Sequence, residues 1–141
     1  MPLARISHVG FNVSSDVFDR EFEFWEKVMG LQFVHGGSSS RGGKRVAFFT
    51  ADPLRDHELI LYEVDGPVAA FGDPGCQVEH FAFDCATDAE VDEYTARLRA
   101  HGFDVEEPGR GRRQNKVTSP SGIHFEINTP PYRDPKTAAR D

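Results

Sequence analysis

The chain has 141 residues, 38% of them hydrophobic and 28% charged, which suits one compact domain with a sizeable core and excludes two independent ones. Sixteen basic against twenty-three acidic residues give a formal charge of -7; that argues against a nucleic-acid surface and leaves no polybasic stretch for anionic lipid, so a small-molecule partner is expected. No stretch approaches the roughly twenty apolar residues of a membrane helix, and the opening MPLARIS lacks the apolar run of a signal peptide, so a cytoplasmic location is expected. Cys76 and Cys85 form no CxxC pair and are expected to be reduced structural thiols.

The first predicted element is a strand over Ile6 to Val13, with Val9, Phe11 and Val13 on one face and His8, Gly10 and Asn12 on the other. A helix is predicted around Asp19 to Met29, with Phe22, Trp25, Val28 and Met29 as its apolar stripe and Gly30 at its end. Strand-like runs follow at Leu31 to His35, Lys44 to Thr50 and Glu58 to Val64, the first two separated by the glycine- and serine-rich Gly36 to Gly43. His35 is expected in a turn, exposed to solvent. Residues 65–75, with two prolines and three glycines, are expected to be a linker.

The pattern then recurs. Val78 to Asp84 repeats the first strand, with His80 standing 72 positions after His8. A second helix is predicted over Ala89 to Ala100, with Val91, Tyr94 and Leu98 inward and Gly102 at its end; His101 is expected to be solvated. Strands are predicted at Phe103 to Glu106, Gln114 to Thr118 and His124 to Asn128, with the arginine-rich Gly109 to Arg113 in the turn. The chain therefore reads as two strand-helix-three-strand modules, about 4–66 and 76–130, in a single domain of residues 1–134. Residues 135–141 end a polar tail, proline-rich from 130 onward, in which partial disorder is expected. Phe48, Phe49, Phe81, Phe83 and Phe125 are expected in the core.

On the last strand Phe125 and Ile127 take one face, and His124, Glu126 and Asn128 the other. A carboxylate in the middle of such a strand is costly to bury alone, and a bound cation resolves the cost. Two histidines at repeat-related positions and a strand-borne glutamate make His8, His80 and Glu126 candidate metal ligands. Two imidazoles and one carboxylate leave adjacent positions of a divalent metal open to substrate and oxygen.

The duplicated module, the two histidines, and the turn Ser119-Pro120-Ser121-Gly122 leading to Glu126 resemble the vicinal oxygen chelate superfamily of glyoxalases, extradiol dioxygenases, and bleomycin- or fosfomycin-resistance proteins. The resemblance runs from about Ile6 to Thr129. It implies an α+β fold of two βαβββ modules forming a partly open, cup-shaped mixed sheet with helices outside, often a homodimer. It also implies His8, His80 and Glu126 as metal ligands. A fourth, carboxylate ligand typical of glyoxalase I is replaced by an apolar residue when Leu61 is lined up with Glu126. That moves the expectation to an Fe(II) extradiol-type ring-cleaving dioxygenase acting on a small catechol-like substrate with dioxygen.

His57 shares parity with Leu61, is expected on the same face as the ligands, and is the candidate catalytic proton carrier. The chain departs from the dioxygenase pattern where Lys116 replaces a tyrosine and Arg110, Arg112 and Arg113 replace a histidine segment. Lys116, Arg112 and His124 are the candidate substrate-binding residues, and the arginines are alternatively solvated surface charge. The alternative function is a glyoxalase-type lyase or fosfomycin-resistance thiol transferase; a metal-free drug-binding protein fits less well. Fe(II) is the favoured cofactor, and the same donors accept Mn(II), Ni(II), Co(II) or Zn(II).

Overall fold

A computed structural model describes residues 2–38, 44–108 and 113–129. The tail and the segments carrying Arg110 and Arg112 lie outside the described residues. The elements are β1 (Val9–Ser14), α1 (Phe18–Glu23), β2 (Gln32–Ser38), β3 (Arg45–Thr50), β4 (Leu59–Val64), β5 (Phe81–Asp84), α2 (Asp88–Ala100), β6 (Val105–Glu106), β7 (Gln114–Thr118) and β8 (His124–Asn128). Each βαβββ module makes one open, four-stranded mixed sheet, ordered β1-β4-β3-β2 and β5-β8-β7-β6, so the fold class is α+β as expected. In each, the first and last strands of the module pair in parallel and the others antiparallel. The chain divides into two compact units, one running through Glu79 and taking in Ser119–Ile123, the other comprising His80–Thr118 and the residues from His124 onward. No helix of the described residues is long and apolar enough to cross a membrane.

In the first unit, Phe11, Val13, Ala47, Phe49, Leu59 and Leu61 are buried. The strand register puts them on one face, where Phe22 of α1 meets Phe49 at 5.1 Å between ring centres. Past Glu23 the helix continues over Phe24–Val28 as a wider π-helical turn, closed by Met29 N–H donating to Phe24 O at 2.8 Å. Phe24, Trp25, Val28 and Met29 are all buried there. Gly30, at φ 73°, ends the segment as the sequence suggests. The stretch 65–75 is more than a linker: Phe71 packs on Phe11 at 5.5 Å and donates its N–H to Gly122 O.

In the second unit, α2 opens on a reciprocal cap: Glu90 N–H donates to the Thr87 hydroxyl, while the Glu90 carboxylate accepts from Thr87 N–H. Val91 and Leu98 are fully buried, and Asn115 of β7 donates to the Thr95 hydroxyl at 2.7 Å. Asn115, Val117, Phe125 and Ile127 share the face under this helix, and the residues between them face the other way.

The predictions for the strand that opens each module start three residues too early. β1 begins at Val9 and β5 at Phe81, so His8 and His80 each stand one residue before their strand rather than within it. β2 extends past His35, which is a strand residue stacked on Phe48 at 4.1 Å and not part of a turn. Phe48 itself is half-buried on the face opposite the core, because it pairs with Ile60 and not with Leu61. Cys76 and Cys85 are free and half-buried. Gly122 sits at φ +93°, and a Cβ there would lie 2.7 Å from the Ala70 Cβ. Gly122→Ala is therefore expected to cost about 2 kcal/mol or more from backbone strain and overlap together, read as a lower urea midpoint.

Candidate metal centre

The register of the second sheet aligns Ala82, Glu126 and Lys116 in one row across β5, β8 and β7. Asp84, Asn128 and Gln114 form the next row, and His124 faces Thr118 in the row before. All lie on the face away from α2. His80, just ahead of β5, brings its Nε2 to 3.5 Å from Glu126 Oε2. Glu126 is only 4% exposed. Its other oxygen, Oε1, accepts from Gln114 Nε2 at 3.2 Å and from Asn128 Nδ2 at 3.1 Å.

Burial pushes the Glu126 carboxyl up, but the two amide donors and the charges of His80 and Lys116 outweigh it and hold the group below the usual carboxylate range. The result is an ionised carboxylate with one oxygen clamped and the other turned to an imidazole. Asn128, having given its amide nitrogen to Glu126, keeps a buried Oδ1 with no hydrogen-bond partner among the described residues. One carboxylate oxygen and one imidazole are donors of the kind that Mn, Fe, Co, Ni or Zn accepts, and the two amides stand where outer partners of such a carboxylate would. Gln114 carried no role in the sequence reading. Its signal was available: it shares parity with Lys116 on the strand facing Glu126.

In the first unit, His8 lies in exposed chain before β1, its Nδ1 engaged by the Ser7 hydroxyl at 3.0 Å. His57 packs against it with ring centres 4.7 Å apart, and against Phe48 at 5.0 Å. Strand parity is not what brings His57 to the open face. Leu61 points into the core, and His57 precedes β4, reaching Phe48 from the turn. The alignment of Leu61 with Glu126 is likewise off by one. Gly10 and Ala82 each follow their histidine by two residues; Gly10 pairs with Ile60, and Ala82 with Glu126. The counterpart of Glu126 is Ile60, which is also apolar, so the first module still offers no carboxylate there.

Arg113 is bound to Asp92 through Nε at 2.8 Å and Nη2 at 3.2 Å, so this arginine of the basic run serves α2. Lys116 is exposed and His124 half-exposed on the Glu126 face. Among the described residues no three His, Cys, Asp or Glu side chains cluster closely enough to hold a metal ion. The pair the structure brings together in the second unit is His80 and Glu126.

Residues 5–127 match the model of the Glyoxalase/Bleomycin resistance protein/Dioxygenase superfamily. No curated protein gives a significant sequence match. Among solved structures, the chain is similar to the fosfomycin resistance protein FosX of Listeria monocytogenes, in a mutant form complexed with Mn(II) and 1S,2S-dihydroxypropylphosphonic acid. That likeness has a TM-score of 0.70 at 19% identity and covers 92% of this chain and 95% of that one. FosX from Mesorhizobium loti gives 0.68 at 20%, covering 99% and 100%. A glyoxalase family protein from Enterococcus faecalis gives 0.69 at 18%, covering 89% and 97%. At such identities the structural likeness is one of fold; the family match covers most of the sequence, and with it the chain belongs to the glyoxalase/bleomycin resistance/dioxygenase superfamily, whose fold is the vicinal oxygen chelate fold.

Proposed function

We propose that this protein is a divalent-metal-dependent enzyme acting on a small oxyanionic substrate, with His8, His80 and Glu126 as metal ligands. The observation that carries the reading is the ionised, buried Glu126 carboxylate, clamped at Oε1 and turned toward His80 at Oε2. A divalent metal bound there supplies Lewis-acid polarisation of a substrate oxygen. Lys116, across the ladder from Glu126, puts a positive charge on the same face and suits a phosphonate or carboxylate. The Asn128 Oδ1 is an acceptor for a substrate hydroxyl or a water. The matching chemistry is addition or rearrangement without oxygen, such as opening of a small epoxide by water or a thiol, and Mn(II) is the metal named with the Listeria FosX. This is the lyase or transferase alternative of the sequence reading, moved ahead of ring cleavage.

A second reading, Fe(II)-dependent ring cleavage of a catechol with dioxygen, is favoured by one observation. His57, its Nδ1 held by Asp56 at 2.7 Å, lies beside His8 where it would take up a proton. Protein loaded in turn with Mn(II) and Fe(II) separates the two. Oxygen-independent consumption of an epoxyphosphonate, with water or thiol incorporated, supports the first reading. Oxygen uptake on catechols with no such turnover overturns it in favour of the second.

The clamp makes a further prediction. Asn128→Ala and Gln114→Ala each remove one donor to Oε1 and should weaken metal binding roughly 10- to 100-fold, as loss of an outer partner does. Calorimetric titration with Mn(II) measures this, and unchanged affinity in both variants removes the clamp from the site.

A further inference from the structure

We propose that the first unit carries a further binding site, independent of the metal reading, for a small hydrophobic cation such as an aryl- or alkyl-ammonium. A cleft of about 660 Å³ lies between the helical segment Phe18–Val28 and the β2–β3 edge of the first sheet, a volume in the range of small-molecule sites. Its lining residues all belong to that unit. It opens on the helix-covered face of the sheet, the side opposite His35 and Phe48.

An irregularity of β2 makes the cleft. Phe33 pairs with Phe49 and His35 with Phe48, so Val34 is the extra residue of a bulge, and Phe33 and His35 turn to opposite faces instead of sharing one. Phe33 thereby joins Phe22 and Phe49 under the helix, with ring centres 5.2 and 5.8 Å away. Beyond the bulge the pair on this face is Gly36 and Ala47. Two residues that small leave room between sheet and helix, and the Phe33 ring stays 39% exposed in the wall of the cleft.

The charges select the occupant. Phe18, Phe22 and Glu26 follow one another at four-residue steps along the helical segment, with Asp19, Glu23 and Lys27 in the neighbouring row. Arg45 lies over the Phe18 ring at 4.6 Å and is shared by Asp19 and Glu63. Lys27 answers Glu23 at 3.6 Å. Glu26, half-buried, has no ion pair or hydrogen bond among the described residues. The aromatic wall thus already takes one cation on a ring face, and an unanswered carboxylate stands in the same cleft as the Phe22 and Phe33 rings. A second cation is held there by ring quadrupole and charge together. An anion would meet three carboxylates, with both cations of the lining already engaged.

The test titrates the full chain, labelled with nitrogen-15 and free of added metal, with three small probes that share a phenyl ring: benzyltrimethylammonium, benzyl alcohol and benzoate. The expected result is a saturable shift of the amide signals of residues 22–27, 33 and 45–47 by the cation, with benzyl alcohol at least about 5-fold weaker and benzoate without effect there. Glu26→Gln and Phe33→Ala should each weaken the cation roughly 3- to 10-fold. Neither side chain is buried in the core, and the spectrum of each variant reports directly whether the fold is kept. Equal binding of benzyl alcohol or benzoate overturns the proposal, as do shifts confined to other residues or unchanged affinity in both variants. No metal enters the measurement, so its failure and the failure of the metal reading are separate results.

Discussion

Glu126→Gln should abolish stoichiometric divalent-metal binding, raising the dissociation constant by well over the ~100-fold typical of losing an outer partner. The reason lies in the clamp as well as in the lost charge. Gln114 and Asn128 both donate to Oε1, so in the variant the amide oxygen is drawn to those two donors. The amide nitrogen then turns toward His80 Nε2, now 3.5 Å from Oε2, and presents hydrogens where a ligand must present a lone pair. The shape of the side chain is kept, so the fold should survive. Metal content after dialysis, measured by plasma mass spectrometry beside the thermal melt, checks both halves of the expectation. Retained stoichiometric metal with an unchanged melt would remove Glu126 from the ligand set. His80→Ala is expected to behave in the same way, since an alanine offers no donor to the position facing Oε2.

The hydrogen-bond clamp was legible only in part from the sequence. β7 and β8 are found where alternation predicts them, at Gln114–Thr118 and His124–Asn128, because a sheet with one face under a helix imposes strict period-two patterning. The 72-residue offset placed His8 and His80 at corresponding points, each just before the first strand of its module. What sequence could not supply was register. Leu61 and Ile60 are both apolar, so composition cannot say which is opposite Gly10, and a slip of one residue exchanges the two faces of a strand. The conclusion that the first module lacks a carboxylate survived that slip only because both residues are apolar. His57 illustrates the opposite case: it stands in the turn before β4, which alternation does not describe. Phe48 read as core because a phenylalanine pair on a short strand gives no sign of which ring faces outward. The partner of Glu21 was out of reach altogether, for it comes from a turn a hundred residues along the chain.

Glu21→Ala should be among the most destabilising single changes in the protein, while Glu21→Gln should cost less, about 1–3 kcal/mol for the one donor it leaves facing an amide N–H. Glu21 lies on α1 and is 0% exposed. Its Oε1 accepts from Trp25 Nε1 at 3.2 Å, and its Oε2 from Ser121 N–H at 3.0 Å. Removing the carboxyl strands two buried donors at about 1–3 kcal/mol each, so a loss of roughly 2–5 kcal/mol is expected. Burial dominates the electrostatics and pushes the Glu21 carboxyl up, against the pull of its hydrogen bonds to Ser119, Ser121 and Trp25. Glutamine shares the neutrality of the protonated form but keeps a single acceptor, which can serve Ser121 while its NH2 faces the Trp25 donor.

The pH dependence follows with a definite sign. A carboxyl whose pKa is raised on folding contributes its full stability below the unfolded value, near 4.5, and loses it as pH rises through the folded value. Glu63, held at about 2 by Arg45, has the opposite slope, its contribution fading as pH falls below that same unfolded value. The two overlap in a plain pH scan, but Glu63 is common to both proteins and cancels in their difference. Urea unfolding of the wild type and of Glu21→Gln from pH 4 to pH 8 should therefore show the variant gaining on the wild type as pH rises. A difference flat across that range would mean that the buried carboxyl is no harder to ionise in the folded protein than in water. The Ser119–Gly122 turn that Glu21 holds leads directly into β8, so Glu21→Ala should also lower metal affinity through Glu126, whereas Glu21→Gln keeps an acceptor for Ser121 and should leave that affinity intact.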